Sequence, residues 1–306
     1  MQYLYYPGCS AKGTGYSYEI SMQTVFKRLG AEIEEIHDWN CCGSTAGLCF
    51  DKYKTYALAA RNLALAERQF KGASDEIHIL CPCNACLQIL VKTDHCIRED
   101  PVNGPRIKRA LEKIGLSYTH KIVIRHPLDI ILNDIGLDAV RELVTTPLKE
   151  NRIACYYGCQ MVRPFSSYDD QHNPTGMEDL MDVLGVPTVS WALRTSCCGS
   201  SLTGTLCCGG TVAAPMDEVG LRMSYNVIKD AQYRGADAIT VACPLCQLNL
   251  ECYQDRMRRL FHDDIRMPIV CITQLMGLAM GIPEKELGLN KLFVPLPNHS
   301  AIHQEE

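Results

Sequence analysis

Two rhythms of apolar and polar residues alternate along this chain. Short apolar runs rich in β-branched and aromatic residues (QYLYY at 2–6, IHIL at 77–80, RIACYY at 152–157, AITV at 238–241) read as strands buried on both faces. Between them lie longer amphipathic stretches of helical period, at Tyr16–Leu29, Thr55–Gln69, Met177–Leu184 and Val219–Tyr233. Strands alternating with helices predict parallel pairing through right-handed crossovers, hence an α/β fold. The loops at the C-terminal ends of such strands are where open sheets bind ligands.

The pattern occurs twice. YYPGCS, ending near Cys9, is matched by YYGCQ around Cys159, and LGAEIEEI (29–36) by LGVPTVSW (184–191). NCCGS around Cys41 and Cys42 is matched by SCCGS around Cys197 and Cys198, GASDEIHIL by GADAITVA, and CNACLQIL by CPLCQLNL. Five matches in one order define an internal repeat. Its offset grows from 150 to 156 to 160, so the second copy has gained short insertions. We expect two pseudo-symmetric halves, 1–148 and 149–297, each a small mainly parallel sheet flanked by helices, followed by a polar tail at 298–306.

Cysteine changes the picture most. Eighteen in 306 residues is about four times an average share. The N-terminus lacks a signal peptide's basic and apolar regions, and the chain is long for a disulfide scaffold, so a cytoplasmic protein with metal or redox chemistry is expected. A net charge of −5 without basic runs gives no reason to expect nucleic acid or an anionic membrane as partner, and no apolar stretch is long enough to span a bilayer. Between Cys9 and Cys41 lie 31 residues and between Cys42 and Cys83 lie 40; the second copy has 37 and 44. Each half thus offers five thiols from three loops at one sheet edge: Cys9, Cys41, Cys42, Cys83 and Cys86, then Cys159, Cys197, Cys198, Cys243 and Cys246. Five exceed the four ligands of a zinc site or of a cubane cluster, and adjacent cysteines suit two irons better than one tetrahedral ion.

These motifs resemble the CCG domain, and the chain is similar to the B-type subunits of heterodisulfide reductases. The likeness is carried by YYPGCS, DWNCCG (38–43), RNLALAE (61–67), YYGC with Arg163-Pro164 after it, SCCGSSLT (196–203), ADAITVACPLCQLNL (236–250) and TQLMGLAMG (273–281). The resemblance implies a noncubane [4Fe-4S] cluster on each five-cysteine set, with Cys41, Cys42, Cys197 and Cys198 at the reacting centre. A disulfide lying between the clusters would be cleaved or formed in two one-electron steps. It further implies a ferredoxin-like iron–sulfur partner (the C-type component) and a flavoprotein (the A-type component). No ferredoxin motif and no G-x-G-x-x-G after a strand is present in this chain. CCG domains also occur in lactate, glycolate and succinate dehydrogenase-type complexes, and in sulfur-oxidising relatives, so an electron-transfer subunit is the competing reading. A zinc-bound scaffold is a third.

Two features depart from the pattern. Cys81 adds a thiol before Cys83, though Cys83 and Cys86 align with Cys243 and Cys246. A second Cys-Cys-Gly at Cys207 and Cys208 lies nearer to Cys243, with only 34 residues between Cys208 and Cys243, although SCCGSSLT is the closer local match. Arg163 is placed either to hold a carboxylate or phosphate of the substrate or to form a surface ion pair. His37 and His126, near strand ends, read as structural histidines or as proton donors to a leaving thiolate. Cys49, Cys96, Cys155, Cys252 and Cys271 fit buried apolar positions, and Ile272–Gly281 reads as core or subunit interface.

Overall fold

The computed structural model describes residues 1–44, 46–72, 76–165, 169–200 and 217–297. In the first half, β1 (Gln2–Tyr5), α1 (Tyr16–Arg28), β2 (Glu32–Glu35), α2 (Ala46–Phe50), α3 (Lys52–Gln69), β3 (Ile77–Leu80), α4 (Asn84–Glu99), α5 (Asn103–Glu112), β4 (Ile122–Arg125), α6 (Pro127–Ile130) and α7 (Leu137–Leu143) follow in order. All pairing is parallel, in the order β2-β1-β3-β4. The second half runs β5 (Ile153–Tyr156), α8 (Cys159–Val162), α9 (Gly176–Val183), α10 (Asp217–Tyr233), β6 (Ala238–Val241), α11 (Pro244–Cys252), α12 (Gln254–Phe261), β7 (Ile269–Cys271) and α13 (Ile272–Ala279). Its sheet is parallel in the order β5-β6-β7.

The expected strands at 77–80 and 238–241 form as read, because continuous apolar runs bury on both faces. LGVPTVSW, the repeat counterpart of LGAEIEEI, forms no strand where LGAEIEEI forms β2. Only a single bridge joins Ile153 to Thr188 there. Pro187 has no N–H to extend a ladder, although its carbonyl accepts from Ile153. At the matching place β2 is a full edge strand with exposed Glu32 and Glu34, charges that discourage pairing with another chain.

The halves share one core. Every residue of α13 is buried, and the helix packs against α1, where Ser21 and Thr273 hydroxyls meet at 2.7 Å. Tyr18 donates to the Ala242 carbonyl (3.3 Å) and Gln88 to that of Phe165 (2.9 Å). Buried Cys155 and Cys271 fill the core as expected. Cys96 is half-buried, whereas Cys49 and Cys252 are exposed, because α2 and the end of α11 turn those positions outward.

Candidate functional site

In each half the first strand, β1 or β5, leads to a tyrosine, then a glycine turn, then the first cysteine. Gly8 and Gly158 adopt φ of +71° and +69°. A Cβ on either would stand 3.2 Å from a cysteine sulfur, Cys86 or Cys246, so only glycine lets the backbone pass this close. The Tyr6 hydroxyl donates to the Asn40 carbonyl at 2.8 Å and that of Tyr156 to Ser196 at 2.6 Å, in each case the residue before the Cys-Cys pair. Burial first, then neighbouring thiolates, holds both phenols protonated well above their usual range. Arginines brace the same segments. Arg61 donates to Asn40 Oδ1 (3.0 Å) and the Asp38 carbonyl (2.6 Å); Arg163 donates to the carbonyls of Thr195 (2.7 Å) and Gln171 (3.2 Å).

The adjacent cysteines diverge. Cys41 meets Cys9 as well as Cys42, whereas Cys42 Sγ lies 3.2 Å from Cys86 Sγ. Likewise Cys197 meets Cys159, while Cys198 Sγ lies 3.7 Å from Cys246 Sγ. The N–H groups of Gly43 and Gly199 point at the sulfurs of Cys41 and Cys197 (3.4 and 3.3 Å). Hydrogen bonds from Cys42 and Cys9 pull the Cys41 thiol down to about 3, against burial. The bond from Cys159, with help from Gly199, brings Cys197 to about 6. Bonds from Cys42, Cys81 and Cys83 hold Cys86 well below its usual value. Within each half the thiols thus work in donor–acceptor pairs: Cys41, Cys86, Cys197 and Cys198 are drawn toward thiolate, the form that binds metal, while their donors Cys42, Cys159 and Cys246 are held protonated.

The two sets converge. Cys83 and Cys243, both buried, share a hydrogen bond across the halves, and each is the residue preceding a helix, α4 or α11. Both helix N-termini thus face the sulfurs, which favours negative charge there. Burial opposes ionisation of Cys243, but bonds from Cys246, Cys83 and the N–H groups of Cys246 and Asn84 carry it well below its usual value. A cavity of about 30 Å³ opens among Asn84, Tyr156, Cys159, Cys197, Cys198, Cys243 and Cys246. Among the described residues no group of three or more His, Cys, Asp or Glu is arranged for a single metal ion. An all-sulfur donor set of five per half, with glycines holding the backbone close, fits a polynuclear iron–sulfur group.

All ten expected cysteines thus lie in two linked constellations. Cys81 is a sixth thiol in the first, buried and in contact with Cys86; the matching position in the second half is Val241. Cys207 and Cys208 lie outside the described residues. His37 is exposed and lines a cavity of about 580 Å³ with Gln2, Arg68 and Phe70, not the cysteine site. His126 is buried: its Nδ1 accepts from the Leu128 N–H (3.1 Å), and its Nε2 donates to the carbonyl of Ala242 (2.9 Å), the residue before Cys243. Tyr6 and Tyr156 escape a reading for cysteines, although both stand inside the repeated YYPGC and YYGC motifs, and nothing in the repeat marks Asn84.

Paired parallel sheets ending in Cys-Cys-Gly turns and Cys-x-x-Cys helix starts define the class of cysteine-rich CCG domains. The family, described as "Cysteine-rich domain", matches residues 3–90 and 153–251, and the chain belongs to it. Several of its relatives are named as enzyme subunits. The chain is 29% identical over 291 residues to the 8-methylmenaquinol:fumarate reductase membrane anchor subunit of Wolinella succinogenes, covering 94% of this chain and 95% of that one. It is 26% identical over 287 residues to the B component of the ferredoxin:CoB-CoM heterodisulfide reductase of Methanosarcina mazei (93% and 91%). It is also 26% identical over 296 residues to a protein of Archaeoglobus profundus that is itself described as like the B component of heterodisulfide reductase (94% of each). The fold is shared with a hypothetical protein from Helicobacter pylori, at a TM-score of 0.72 and 14% identity; the match covers 96% of this chain and about half (52%) of that one. No described helix is long and apolar enough to cross a membrane.

Proposed function

We propose that this chain is the iron–sulfur subunit of a heterodisulfide reductase-like complex, acting on a disulfide-type bond in a cytoplasmic setting. Cys9, Cys41, Cys42, Cys83 and Cys86 hold one noncubane four-iron cluster, and Cys159, Cys197, Cys198, Cys243 and Cys246 the other. The observation that carries this reading is the contact of Cys83 with Cys243, which joins two five-sulfur sets into one centre. When bound, the clusters supply one electron each and an iron site for each sulfur. Reduction of R–S–S–R′ takes up two electrons and two protons and releases two thiols. The chain's own residues draw Cys41, Cys86, Cys197, Cys198 and Cys243 toward the anionic form, exclude water from Cys83 and Cys243, and fix both Cys-Cys turns through Tyr6, Tyr156, Arg61 and Arg163. A ferredoxin-like partner and a flavoprotein deliver or accept the electrons.

Anaerobic purification with iron, sulfide and zinc analysis tests this. About eight irons per chain with equal sulfide is expected for two four-iron clusters, together with a paramagnetic signal that appears only when thiol is added to oxidised protein. Zinc in place of iron overturns the proposal. The likeness to a fumarate reductase subunit favours a second reading, an electron relay without disulfide chemistry. Two clusters with no response to thiol would select it.

A further inference from the structure

Five buried side-chain atoms among the described residues lack a hydrogen-bond partner: Asn84 Oδ1, Gln88 Oε1, Thr93 Oγ1, Thr240 Oγ1 and Arg258 Nε. Of their residues, Asn84 alone lines the cavity beside the second half's cysteines. It is the first residue of α4, belongs to the first half, and is 3% exposed. Its Nδ2 donates to the Tyr157 carbonyl at 3.0 Å. A carbonyl can only accept, so this bond fixes the amide's orientation and leaves Oδ1 as the atom without a partner.

A buried acceptor without a donor costs about 1–3 kcal/mol, and native structures rarely keep one without cause. The sulfurs around Asn84 cannot relieve it once they ligate iron, because thiolate and sulfide only accept. The donor must come from a water or from a small group of a bound molecule, since the cavity of about 30 Å³ has room for little more. The matching position in the other half is Pro244, whose side chain has no polar atom and packs toward Gly15. The acceptor therefore exists on one side of the centre only.

We propose that Asn84 is a substrate-binding residue which, through Oδ1, accepts a hydrogen bond from an N–H or O–H group close to the sulfur of a thiol or disulfide bound at the second half. An unsymmetrical disulfide then lies across the two halves in one direction, its donor-bearing arm on the side of Cys197 and Cys198 and its apolar arm toward Pro244. The inference rests on the disulfide reading above and specifies the ligand that reading requires.

Two thiols of one shape test it. N-acetylcysteamine carries an amide N–H, and 2-mercaptoethyl acetate replaces that N–H with an ester oxygen. Each is titrated into the oxidised, cluster-loaded full-length chain, with affinity read from the visible spectrum and the paramagnetic signal and checked by thermal shift. The amide thiol should bind about tenfold more tightly, the effect of one satisfied buried hydrogen bond. Asn84→Ala should bring the ratio to about one; iron content shows that the variant retains its clusters. A structural role for Asn84 would alter both affinities together and leave the ratio unchanged. Equal binding by the wild-type chain, or a preference that survives Asn84→Ala, overturns the inference alone. Clusters that respond to neither thiol overturn the disulfide reading and the inference with it.

Discussion

Beside β1 the first half sets a complete edge strand, Glu32–Glu35; at the same place the second half has one bridge at Thr188. Where the first half buries Cys81 against Cys86, the second has Val241, and where the first has Val91 on its Cys-x-x-Cys helix, the second has buried Glu251. Yet Gly8 and Gly158, Tyr6 and Tyr156, and Gly43 and Gly199 repeat one geometry to within a few tenths of an ångström and about ten degrees. The difference separates what holding sulfur demands from what the surrounding fold leaves open. Backbone turns at the cysteines are duplicated, and the shell one residue further out has diverged.

Removing a ligand should break the comparison most severely. Cys86→Ala and Cys246→Ala should each lower iron from about eight to about four per chain, one cluster lost and the other kept. Loss of all iron from either variant would show that the contact between Cys83 and Cys243 makes the clusters interdependent.

Glu251 should make stability depend on pH through the second half. Burial, outweighing bonds from the Phe293 and Val294 N–H groups, raises its carboxyl from 4.5 to about 7. A carboxyl raised in the folded state contributes fully below pH 4.5, and its contribution is lost as pH rises through about 7. By pH 8 that loss approaches about 3 kcal/mol. Glu251→Gln, which keeps the acceptor for Phe293, should raise stability at pH 8 by up to that amount and flatten the slope between pH 4.5 and 8 in chemical denaturation.

Smaller effects should follow at the tyrosines. Tyr156→Phe should cost about 1 kcal/mol. Tyr6→Phe should cost less, because the Asn40 carbonyl keeps a second donor in Asn62 Nδ2 at 2.9 Å. Thermal unfolding of the two variants compares them directly. The smallest change is expected from Cys81→Val, which makes the first half like the second. It should leave iron content whole, whereas Cys83→Ala should halve it; iron loss in Cys81→Val would instead make Cys81 a ligand.

The duplicated motifs made the α/β class, the strands at 77–80 and 238–241 and the grouping of ten cysteines legible in the sequence, since each rests on local patterns of burial and turn chemistry. What the sequence hid depends on distant residues. His126 reaches Ala242 and Asn84 reaches Tyr157 across the pseudo-twofold, and no periodicity carries such information. Apolar composition likewise misplaces Cys49 and Cys252, since only the packed helices show which face turns outward. Arg163, expected to hold an anion or form a surface ion pair, instead grips two carbonyls, one of them beside the Cys197 turn.

The bonds across the halves also govern the order in which the protein can be made. Asn84, Tyr18 and His126 reach across to carbonyls at residues 157 and 242, and α1 is covered by α13, which ends at Ala279, and by the turn at Glu284–Leu287. During synthesis the first half therefore leaves the ribosome with its thiols present but its core open, and it closes only when nearly the whole chain has emerged. A chain cut short in translation would leave the first half's five cysteines without the second half's cover.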